Sequence, residues 1–110
     1  MNLKKPDQCI SLEEVRIEID KIDQQIIQLF SERMKYVEAV VSFKSDEEGI
    51  IAAERKEQVI RERSNWAENH GLDPNIIGQI YTLLIERNIQ HELELLQQRR
   101  KNKKAETIKK

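Results

Sequence analysis

The sequence predicts an all-α protein of three helices per chain, one of them very long, paired with a second copy in an intertwined helical homodimer. Three observations carry this expectation. Large apolar residues recur in alternating steps of three and four, no segment alternates at period two, and only three glycines and two prolines interrupt 110 residues.

The first helix opens at Ser11, whose hydroxyl can cap the start while Glu14 reaches back, an S-x-x-E capping box. Its stripe runs through Leu12, Val15, Ile19, Ile22, Ile26, Leu29, Phe30, Val37, Val40 and Val41 to an end near Ser45. The acidic run and Gly49 between Asp46 and Ile51 predict a loop. A second helix spans roughly Ala53 to His70 and stops at Gly71, which suits the left-handed residue after a helix end. The third is capped by Asp73, has Pro74 in its first turn, and carries Ile77, Ile80, Tyr81, Leu84 and Leu95 on one face to about Arg99. The helical domain is thus 1–100. Residues 101–110 form a basic tail expected to be disordered, because Arg99 to Lys110 hold seven Lys or Arg against one Glu.

A first helix of about 33 residues is about 50 Å long at 1.5 Å per residue, whereas a compact 100-residue domain has a radius of gyration near 13 Å. Two shorter helices cannot cover such a rod, and a two-fold dimer is the simplest closed solution. The alternative is a kink near Ser31 in a monomeric bundle. No proline or glycine falls there to cause one.

Composition narrows the function classes. The charge balance is 19 Lys and Arg against 20 Asp and Glu, net -1, which does not mark a nucleic-acid binder. One cysteine, Cys9, excludes an internal disulfide, and no apolar run reaches signal or membrane length. A reduced, cytoplasmic protein with no membrane partner is expected. His70 and His91 have no partner at ligand spacing, so no metal site is expected.

The informative anomaly is polar. Continuing the apolar count places Arg33 between Phe30 and Val37, and Lys44 one step beyond Val40, so both cations are expected to face the core. A buried charge is costly unless paired, and no acid flanks them on the stripe. Stepping back from Val59 on the second helix reaches Arg55. On the third, Asn88 and Glu92 lie on the stripe one turn apart. Arg16 flanks the stripe near the start of the first helix. Singly, these are rim residues or solvated pairs, with Arg16 close enough to meet Asp20. Jointly they predict a small pocket for a compact dianion.

These residues carry a resemblance to the all-helical, type II chorismate mutase family, and within it to the bacterial isochorismate pyruvate lyases of salicylate and siderophore biosynthesis. It runs through P-D-Q-C at Pro6 to Cys9, I-D-K-I-D at Ile19 to Asp23, E-R-M-K-Y-V at Glu32 to Val37, F-K at Phe43 to Lys44, E-R at Glu54 to Arg55, and W-A-E-N-H-G-L-D at Trp66 to Asp73. The Cys9 leader and the Trp66 block favour the lyase branch.

The resemblance implies an intertwined homodimer with two equivalent sites, each completed by Arg16 of the other chain. It implies that Arg33, Lys44 and Arg55 hold the substrate's carboxylates and ether oxygen, with Asn88 beside them. Lys44 and Glu92 then act on the ether oxygen of a pericyclic reaction that needs no cofactor. Two positions depart from the mutase pattern. Lys56 stands where mutases usually carry a glutamate for the ring hydroxyl of chorismate. Glu92 stands where most members carry glutamine; an ionised carboxylate there would repel the dianion, but the resemblance to some fungal mutases that carry glutamate implies that the site can work with a protonated acid.

The expected activity is therefore conversion of isochorismate to salicylate and pyruvate, with weak chorismate mutase activity beside it. A chorismate mutase is the second reading, and a non-catalytic helical binding protein is a third from another class. Loop 46–51 joins Lys44 to Arg55 and is expected to close over the ligand.

Overall fold

The computed structural model describes residues 2–44 and 46–109, with side chains to residue 106. Its elements are α1 (Leu12–Val40), α2 (Glu47–Ile51), α3 (Ala53–Asn69) and α4 (Pro74–Lys109), with 3-10 turns at Pro6–Gln8 and Val41–Phe43. There is no β-strand among the described residues. The all-helical expectation holds, with three main helices and one short one. Ser45, the expected end of the first helix, lies outside the described residues, and α1 stops earlier, at Val40. The longest helix is α4, at 36 residues.

The chain divides into two compact units, Met1–Tyr36 and Val37–Lys110. In the first, the leader folds back on the start of α1. Glu14 N–H donates to Ser11 Oγ at 3.1 Å, as the capping box requires. The Glu14 carboxylate reaches one residue further back than expected, accepting from Ile10 N–H at 2.6 Å, and takes a second bond from Lys4 Nζ at 2.8 Å. These donors, Lys4 foremost, hold its pKa below the usual carboxylate range, and Glu14 in turn raises that of Lys4. None of the residues of α1 in this unit is buried, and Leu12, Ile19, Ile22, Ile26 and Leu29 are exposed.

In the second unit α3 and α4 form a helical hairpin. Gly71, at φ 74°, ends α3 as expected, and Asp73 Oδ1 accepts from Asn75 N–H at 2.9 Å to open α4. The hairpin closes tightly at Gly78, which is buried; a Cβ there would meet Ser64 Oγ at 2.9 Å. Further along, Val41, Ile50 and Leu96 form a buried cluster, with Ile89, Leu93 and Leu95 packed against it. Each buried side chain of this size contributes roughly 1.5–3 kcal/mol.

Two expectations are corrected. Residues 46–51 are not a loop: Asp46 Oδ1 accepts from Gly49 N–H at 2.8 Å and caps α2. The chain turns instead at Ala52, left-handed at φ 34°, ψ 64°. The basic segment expected as a disordered tail continues α4 to Lys109. Lysine and arginine are good helix formers, so this segment needs no apolar stripe to propagate the helix.

Candidate active site

Six side chains were singled out by their spacing, and the structure treats them unequally. Asn88 and Glu92, one turn apart on α4, are buried at 6% and 7% exposure. A carboxyl group and an amide are thus held on the inner face of the helix, beside the apolar cluster that includes Leu96. Arg33 is half-buried on α1. Arg16, Lys44 and Arg55 are exposed, which corrects the expectation that Lys44 faces the core. For Lys44 the reason is local: α1 ends at Val40 and a 3-10 turn follows, so the helical count does not carry to residue 44. Arg55 lies in the first turn of α3, where its guanidinium meets Gln58 Oε1 at 3.3 Å and Glu62 Oε1 at 3.7 Å.

Lys44 follows directly on the 3-10 turn, its N–H donating to Val41 O at 3.4 Å. Its side chain passes over Gly49, where a Cβ would lie 3.3 Å from Lys44 Cδ. It opens on a cleft of about 770 Å³ lined also by Phe43, Leu96, Arg99, Arg100 and Lys103. Apart from Lys44, these cations were outside the sequence reading, which had set the Arg99 segment aside as solvated.

Lys56, the departure on α3, is half-buried and pairs with Glu86 of α4, Nζ to Oε1 at 3.2 Å. The sequence placed Lys56 but gave no sign of its partner 30 residues away. The histidines meet near neighbours: His91 Nε2 lies 3.6 Å from Glu38 Oε2, and His70 Nδ1 lies 2.8 Å from Trp66 O. Among the described residues, no group of three His, Cys, Asp or Glu could hold a metal ion. No described helix is long and apolar enough to cross a membrane.

The arrangement offers a buried carboxyl and amide on one helix and a lysine presented on a short turn. Such donors suit a reaction in which charge develops on an oxygen without a covalent intermediate. The chorismate mutase type II family pattern matches residues 15–93, and the chain belongs to that family of enzymes. It is 36% identical over 98 residues to the isochorismate pyruvate lyase of Pseudomonas aeruginosa, covering 89% of this chain and 97% of that protein. It is 33% identical over 95 residues to the chorismate mutase of Methanocaldococcus jannaschii, covering 84% and 96%.

Proposed function

We propose that the protein is an isochorismate pyruvate lyase, acting as a homodimer in which Arg16 of each chain completes the other's site. The observation that carries the choice of lyase over mutase is Lys56. Where mutases place a carboxylate for the ring hydroxyl of chorismate, this chain has a cation engaged with Glu86. The similarity to a lyase over nearly its whole length supports the same reading.

Isochorismate splits into salicylate and pyruvate without any added atom. The ether C–O bond breaks, one ring hydrogen passes to the enolpyruvyl methylene to give the methyl of pyruvate, and the ring becomes aromatic. Arg16, Arg33 and Arg55 bind the two carboxylates, with Asn88 lining the site, and so hold a reactive conformer of the side chain over the ring. Lys44 meets negative charge developing on the ether oxygen. A protonated Glu92, buried on α4, donates to the same oxygen. Dimerisation supplies a cover for the exposed apolar residues of α1.

Purified protein assayed with isochorismate and with chorismate tests the assignment. Salicylate and pyruvate should form from isochorismate with a higher kcat/KM than prephenate from chorismate. The reverse order would make it a mutase, and turnover of neither substrate would leave a binding protein.

A further inference from the structure

The turn that presents Lys44 is tied to α4 at a point no substrate contact explains. Arg99 donates from its guanidinium to Val41 O at 2.8 Å, across 58 residues of sequence. That carbonyl is the one that also accepts the N–H of Lys44. One turn of hydrogen bonding thus links the guanidinium of Arg99 to the backbone of Lys44. The neighbouring Arg100 pairs with Glu47 in the first turn of α2, on the other side of Lys44, and holds the Glu47 pKa below the usual carboxylate range. Beside these ties, Val41 and Ile50 form a buried cluster with Leu96 of the same helix.

The Val41 carbonyl closes the 3-10 turn by accepting from Lys44 N–H and takes Arg99 on its second lone pair, and a charged donor makes a stronger bond than a neutral one. An arginine spreads its donors in a fixed fork, so it fixes direction as well as distance. We propose that Arg99, supported by Arg100, is a positioning residue for Lys44: it clamps the Val41–Lys44 turn to α4 and so sets where the ammonium stands in the site. The proposal rests on the catalytic role given to Lys44 above. It assigns a function to the first residues of a segment whose composition alone reads as solvated tail.

The test combines kinetics with hydrogen exchange in the full-length protein, using Arg99→Ala, Arg99→Lys, Lys44→Ala and the Lys44→Ala/Arg99→Ala double variant. Misplacing a reacting group by about an ångström costs up to about a hundredfold. Arg99→Ala should therefore lose about tenfold or more in kcat, with a smaller change in KM, and Arg99→Lys should recover part of it. Exchange in 41–51 should rise in Arg99→Ala while that of α3 stays at the wild-type level. In the double variant the loss should equal that of Lys44→Ala alone, because Arg99 acts through Lys44. Losses that multiply, or unchanged exchange in 41–51, would overturn the clamp. Should Lys44→Ala itself turn over normally, the role of Lys44 in the proposed function fails, while the exchange result still decides whether Arg99 holds the segment.

Discussion

Along α1 in the N-terminal unit, Leu12, Ile19, Ile22, Ile26 and Leu29 are exposed and nothing is buried, whereas on α4 of the C-terminal unit Asn88 and Glu92 are buried. Each helix carries an apolar stripe in its sequence, yet the two depart from ordinary burial in opposite directions. An apolar stripe left in water gains free energy by finding a cover. A polar pair taken out of water gains nothing unless it meets a partner or a ligand. The first departure bears on assembly and the second on the site proposed around that pair, and each can be broken separately.

Charging the α1 stripe should have the largest effect. Ile22→Asp with Ile26→Asp places two carboxylates where the proposed dimer buries apolar surface, and should abolish both assembly and turnover. Sedimentation and activity measured together check it. A monomer with wild-type kcat would show that α1 needs no partner. Mixing is the sharper form: Arg16→Ala chains refolded with Lys44→Ala chains should regain about a quarter of wild-type activity, since half of random dimers are mixed and one of their two sites is intact. No recovery would place Arg16 in its own chain's site.

Next comes Lys44. Lys44→Ala should lose at least about a hundredfold in turnover, the cost of one preorganised donor at a developing oxyanion, with little change in KM. Lys44→Arg keeps the charge but moves the donors and should also be impaired. Near-normal turnover in Lys44→Ala would return catalysis to the buried pair on α4.

Glu92 tests that pair. If its protonated form donates to the ether oxygen, wild-type activity rises as pH falls towards its pKa. Glu92→Gln keeps a donor without needing the proton, so it should flatten the profile and hold or improve turnover at neutral pH. A wild-type rate independent of pH between about 5 and 8, unaltered by the substitution, would confine Glu92 to a structural part.

The elements that could be read from sequence were those with a local cause. Ser11 with Glu14, Gly71 and Asp73 with Pro74 mark helix ends by chemistry within a few residues, and all three ends fall there. Gly49 was misread because glycine is permissive and not obligately a breaker; it sits inside α2, and the break is at Ala52, a residue type with no preference for left-handed backbone. The inward face of Asn88 and Glu92 followed from periodicity, since α4 is continuous through both. Lys44 did not, because the chain leaves helical geometry at Val41. The Lys56–Glu86 and Arg99–Val41 links were illegible: each spans 30 or more residues, and only the hairpin and the packing of Val41 bring them together.

The smallest effect expected is also the one that locates the useful end of α4. Removing residues 102–110 takes away four of the basic side chains but keeps Arg99 and its bond to Val41 O, as well as the Arg100–Glu47 pair. Because α4 beyond that point buries no apolar side chain among the described residues, its removal forfeits little packing. Turnover should stay within about twofold of wild type, the size of change a distant surface segment produces. Cutting three residues earlier, after Gln98, removes both arginines and should reproduce the kcat loss of Arg99→Ala. Equal activity in the two truncations would dissolve the boundary at Arg99; equal loss would move it outward, to Lys103 or Glu106 on the rim of the cleft that Lys44 shares.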